Sequence, residues 1–136
     1  MENNEEVKNV QNPVQPEQKL NTMPAIVSYL WWIGWIISYF ALYKDNKNEF
    51  TTFHIRQSLG VHITSIAVIV IGVIIGVLFG IIHARFFYGL GNLLDWVLRL
   101  LILVMMIMGL ISASQGEKKP LPVVGEMFQN WFKGIK

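Results

Sequence analysis

Residues 61–82 read VHITSIAVIVIGVIIGVLFGII. With histidine neutral, no charge falls between Gln57 and Ala84, and Val and Ile dominate. In water such β-branched richness argues for a strand. A run of 22 residues is far beyond strand length, and in lipid a chain must satisfy its backbone hydrogen bonds itself, as only a helix or a closed barrel does. As a helix rising about 1.5 Å per residue, the run covers about 33 Å, enough for a hydrocarbon core about 30 Å thick. The stretch predicts a transmembrane helix at 60–82.

Working outward, the chain upstream has no charge in the 23 residues from Asn21 to Tyr43, which predicts a first span at 24–43. Its aromatics Tyr29, Trp31, Trp32, Trp35, Tyr39, Phe40 and Tyr43 are spread along the run rather than gathered in two belts, as expected where rings pack against neighbouring helices. Downstream, Leu93 to Ile111 is apolar except for Asp95, Arg99 and Gly109, which predicts a third span at 92–114. The short connection from His83 to Gly91 makes the last two spans an antiparallel hairpin. The expected fold is an all-α membrane protein with three transmembrane helices in one domain, 23–116, between a polar, disordered tail at 1–22 and an amphipathic tail at 117–136.

Composition agrees with a membrane class. Of 136 residues, 53% are hydrophobic and 15% charged, against about a quarter charged in soluble domains. Eleven Lys and Arg face nine Asp and Glu, far from a nucleic-acid-binding balance, so no nucleic-acid partner is expected. There is no cysteine, hence no disulfide framework or thiolate metal site. The amino terminus carries Glu2, Glu5 and Glu6, unlike a cleaved secretory signal, so the first span is expected to act as an uncleaved anchor.

With three spans, Lys8, Lys19 and Arg85 share one side, while Lys44, Lys47, Arg56, Lys118, Lys119, Lys133 and Lys136 share the other. The positive-inside rule then places the amino terminus outside and the carboxyl terminus in the cytoplasm, in a multi-pass protein of the cell inner (cytoplasmic) membrane. Residues 49–59 are expected to lie along the cytoplasmic interface, with a bend near Gly60 where the span begins. After Pro120 and Pro122, the helical spacing of Val124, Phe128, Trp131 and Ile135 suggests a short interfacial helix or a docking face for a partner protein.

Four groups of residues stand out. Gly72, Gly76 and Gly80 share one face of the second span and permit close helix approach, within the monomer or between copies. Asp95 and Arg99 are neighbours four apart; in a span beginning near Asn92 they sit close to the interface as a structural pair, the other reading being an ion, proton or lipid-headgroup site. His54, Ser58, His62 and Ser65 make a polar stripe, its histidines about 12 Å apart, too far for one metal ion. His83 beside Arg85 reads as an exposed loop histidine. No phosphate loop, zinc-binding His-Glu-x-x-His or Gly-x-Ser-x-Gly elbow occurs, and an embedded enzyme would need a polar cavity joining His62, Asp95 and Arg99. The expectation is a non-enzyme without cofactor or metal.

The run Glu49-Phe50-Thr51-Thr52-Phe53-His54-Ile55-Arg56-Gln57-Ser58-Leu59, preceded by the charged loop from Lys44, resembles the surface motif of a family of small bacterial membrane proteins. That homology group also includes the twenty-kilodalton component of the chloroplast inner-envelope import machinery and magnetosome membrane proteins. The matching positions are Phe50, Phe53, His54, Gln57 and Ser58. Ala113, Gln115, Gly116 and Glu117, followed by Pro120 and Pro122, resemble the family's exit from its last span. The resemblance covers roughly residues 22–125 and brings no established catalytic residues. It implies an import-component-like membrane protein with a structural, protein-interaction or assembly role, whose partners are the bilayer, other membrane proteins or a second copy of itself. A small oligomeric channel or transporter subunit is the alternative.

Overall fold

A computed structural model describes residues 20–45, 47–81 and 85–136. Among these the chain is helical, with no strand. Its axis is an antiparallel hairpin of two long helices, α3 (Glu49–Ile81) and α4 (Arg85–Ser114). The Asn48 side chain caps α3, its Oδ1 accepting the Thr51 N–H at 2.7 Å, and Glu49 in the first turn complements the positive end of the helix dipole. α4 ends in a Schellman motif: Gly116 takes φ of 72°, while Glu117 N–H donates to the Ser112 carbonyl and Gly116 N–H to that of Ala113.

Both long helices start earlier than the hydropathy pattern predicts, at residue 49 rather than 60 and at 85 rather than 92. The expected bend near Gly60 is absent, since α3 runs unbroken through it for 33 residues. Gly60 provides room instead: a Cβ there would lie inside the Phe128 ring of α5 (Gly125–Trp131), which packs across α3. Phe128 joins Val61, Ile102 and Leu121 in one buried cluster. The helix expected from Val124, Phe128, Trp131 and Ile135 thus turns Phe128 inward and leaves Trp131 exposed. His83 and residues 1–19 of the polar tail lie outside the described residues.

The larger correction concerns 24–43. It forms α1 (Met23–Val27), a break, α2 (Trp31–Ile37) and a π-helical continuation, Ser38–Tyr43. Contacts along α3 show its course. Ala25 packs with Phe50, the Ser28 carbonyl accepts from His62 and the Trp32 ring lies on the His62 ring, Trp35 donates to the Ile55 carbonyl, and the Tyr43 and Thr52 hydroxyls bond each other. The segment therefore descends beside α3 from residue 50 to residue 62, about 18 Å of helix, and returns. Ser38 Oγ donates to the Pro24 carbonyl and ties the two limbs. Trp31 makes the turn at a φ of 58°, and glycine at position 34 is required because a Cβ would collide with the Val27 carbonyl. An uncharged run long enough to cross a bilayer instead doubles back, and two helices among the described residues, Glu49–Ile81 and Gly89–Ser114, are long and apolar enough to span, rather than three.

The result is a head and a stalk. The turned-back segment, the first third of α3, the end of α4 and α5 form the head. Beyond His62, α3 and α4 continue as a bare pair. The stalk exposes apolar side chains such as Val73, Ile74, Leu78, Leu93 and Leu101, whereas Thr51, His54, Gln57 and Ser58 are wholly buried in the head. This polarity is the reverse of a water-soluble protein's.

Candidate functional site

The head is organised around a directional chain of hydrogen bonds. Residues 50, 54, 57, 58 and 61 of α3 are buried together, the spacing of one helix face, and that face meets α1 and the strap after α4. His54 Nε2 lies 2.9 Å from the Glu117 carbonyl; a carbonyl only accepts, so Nε2 carries the proton. His54 Nδ1, 3.2 Å from the Tyr29 hydroxyl, then accepts in the neutral ring. Gln57 Nε2 donates to the same hydroxyl at 2.9 Å, and Gln57 Oε1 accepts the Leu121 N–H at 3.1 Å. Burial pushes the Tyr29 pKa well up, only partly opposed by the Gln57 bond, so the hydroxyl keeps its proton for His54. Three segments distant in sequence are joined through two side chains of α3. Ser112 Oγ adds a second donor to the Glu117 carbonyl at 2.9 Å.

The residues picked out by resemblance therefore face inward rather than along a membrane surface. Phe50 packs with Ala25, Tyr29 and Ala113. Phe53 is half-buried, its ring edge-on to His54, and its carbonyl accepts from Gln129 at 2.8 Å. Ser58 Oγ donates back to the Ile55 carbonyl. Tyr29 and the carbonyl strap at 117–121 are the participants that pattern reading missed. Tyr29 sat within an apolar run that looked like a span, and main-chain acceptors leave no trace in a sequence. Toward solvent, Lys118 pairs with Glu49 at 2.6 Å, and Arg56 donates twice to the Ile135 carbonyl.

A second polar feature lies in the stalk. Because α4 begins at residue 85, Asp95 is ten residues inside it, about 15 Å along the axis, not in the first turn as expected. Arg99 Nε donates to Asp95 Oδ2 at 2.6 Å. Asp95 Oδ1 is buried without a hydrogen-bond partner among the described residues, lying where a Cβ on Gly72 would intrude. A groove of about 250 Å³ between the helices is lined by Gly72, Gly76, Gly91, Asn92 and Asp95 with apolar walls. Gly80, by contrast, has nothing near its absent side chain among the described residues. His62, bonded to Ser28, lies ten residues up α3 from Gly72, so the structure does not bring His62, Asp95 and Arg99 into one cavity. Among the described residues, no group of three or more His, Asp and Glu side chains converges on a metal position.

Compared with known proteins, residues 19–128 match the magnetosome magnetite crystal formation protein family. No curated protein matches the chain, and no solved structure does. The matched region takes in the turned-back segment, both long helices and the strap, ending at Phe128 in α5.

Proposed function

We propose, from the premise that the chain belongs to the magnetosome magnetite crystal formation protein family, that this membrane protein is a non-enzymatic structural component that organises other membrane proteins. The single observation carrying the proposal is the mutual commitment of three buried polar side chains at the centre of the head. Tyr29, His54 and Gln57 spend their hydrogen bonds on one another and on the 117–121 strap, which makes a fixed body rather than a reactive cleft. Its part in crystal formation would be to position proteins at a membrane, without itself templating the mineral. The resemblance to the chloroplast import component gains no support from the family match.

The same reading supports an orientation. Leu20 packs beside Gly116, so with two spans both ends of the described chain lie on the head side. That side carries Lys44, Lys47, Arg56, Lys118, Lys119, Lys133 and Lys136 against Arg85 beyond the stalk, and the positive-inside rule makes it cytoplasmic. On this reading Leu20 lies on the cytoplasmic side, with the segment that no longer crosses.

The buried Asp95 oxygen favours a second reading, a small oligomeric channel. Reconstitution separates the two. An organising protein leaves liposomes impermeable to ions and, in intact membranes, crosslinks from head positions to a discrete set of proteins, with the adducts lost when Gln57→Leu loosens the head. Ion flux that changes with Asp95→Asn would overturn the proposal.

A further inference from the structure

The outer face of the turned-back segment is unaccounted for by the two-span reading. Ile33, Ile36, Ile37 and Phe40 recur at helical spacing and are 67%, 49%, 48% and 60% exposed, joined at the turn by Leu30 and Trp31. The opposite face of the same segment is turned inward and holds the polar groups: Ser38 is bonded to Pro24, Trp35 to Ile55 and Tyr43 to Thr52. An element that hides hydroxyls and shows isoleucine is built for an apolar solvent.

We propose that residues 30–40 are embedded in the acyl-chain region of the head-side leaflet, entering and leaving on the same side. The inference rests on the membrane reading above and adds a third, half-depth contact with lipid.

Three observations select lipid as the occupant. The outer face is continuous with the lipid-facing stalk, since the turn at Ser28–Trp32 sits at His62, where the bare helix pair begins. The segment carries no charge from Asn21 to Tyr43, so nothing in it opposes burial in hydrocarbon. Its descent of about 18 Å slightly exceeds the thickness of one leaflet, about half of a 30 Å core. The geometry also resolves a mismatch of length. α3 has 33 residues, about 50 Å of helix, and a span longer than the core is accommodated by tilting. α2 and α5 each pack on α3 without touching one another. The α5 flank has the polar rim of Arg56, Lys118, Gln129 and Lys136, whereas the α2 flank is apolar almost to the top of the head. The boundary between apolar and polar surface is therefore oblique, and tilt toward the α2 flank lowers residues 30–40 into the bilayer while lifting the rim out.

The chain has no cysteine, which allows single spin labels to be placed at exposed sites with little disturbance. Ile36→Cys, Ile37→Cys and Phe40→Cys would be reconstituted in phosphatidylcholine/phosphatidylglycerol vesicles beside Val73→Cys in the stalk and Lys118→Cys on the rim. Expected is a label response at positions 36, 37 and 40 that matches Val73: frequent collision with oxygen and little with a water-soluble nickel chelate. A nickel response like that of Lys118 would overturn the proposal, as would protection from both reagents, which would mean that protein covers the face. Met23→Cys and Lys44→Cys modified by an impermeant maleimide from opposite sides would also overturn it, because the segment would then cross. If Val73 itself collides with nickel, the membrane reading fails instead, so the two failures are distinguishable.

Discussion

Gln57 has its amide oxygen on the Leu121 N–H and its amide nitrogen on the Tyr29 hydroxyl, so one side chain sets the distance between the turned-back segment and the strap. Gln57→Leu conserves much of the volume but leaves the Leu121 N–H buried and unpaired. Such a group costs about 1–3 kcal/mol, and denaturant unfolding in detergent is expected to register a loss of that order. Gln57→Glu retains an acceptor for Leu121 but replaces the amide donor to Tyr29 by a carboxyl with no exposure, so it is expected to lose less than Gln57→Leu only at acidic pH, where the protonated carboxyl can donate and no charge is buried. Part of this arrangement was legible beforehand: polar residues at 54, 58 and 62 in an otherwise apolar stretch mark a face that needs partners. The partners themselves were not legible, because Tyr29 and the Glu117 carbonyl reach that face only after the chain has folded back over tens of residues.

Elements in this molecule are set by close approach as much as by hydropathy. Gly60→Ala would put a methyl into the Phe128 ring. Overpacking costs about 1–3 kcal/mol, and the variant is expected to release α5, seen as proteolysis after Pro122 in folded protein. Combining it with Phe128→Ala is expected to remove the clash and restore protection of the remaining strap, at the cost of the buried ring. In the stalk, Asp95 and Arg99 neutralise each other well inside α4. Arg99→Leu strands a carboxylate there, and insertion scales put an isolated charge at a span centre at about 2.5–3.5 kcal/mol. Membrane-inserted yield is expected to fall for Arg99→Leu and for Asp95→Leu, and to recover in the double variant. The first third of the chain shows why length and composition misread an element. Residues 24–43 pass the arithmetic of a span, yet Ser28, Tyr29, Ser38 and Tyr43 form an inward face that only a partner surface reveals. α3 and α4 were readable because each is apolar over enough length to form a helix with or without its neighbours.

Taken whole, the head gathers the described cations other than Arg99 in the stalk and Arg85 at the far end of the hairpin. Fusion of a cytoplasm-dependent reporter to Met1 and, separately, after Lys136 is expected to give activity at both ends. Activity at the carboxyl end alone would reinstate a crossing first segment. The all-helical class was legible because backbone groups in hydrocarbon must be satisfied within their own segment. The number of crossings was not, because that depends on whether a greasy run finds lipid or protein on its second side. The turned-back segment has a mechanical consequence for the sheet of lipid around it. A molecule that displaces more lipid from one monolayer than from the other imposes a splay and is least strained where the crowded monolayer lies on the convex side. Such a shape would sort the protein toward small, rounded compartments bulging to its head side, with no recognition of any particular lipid required.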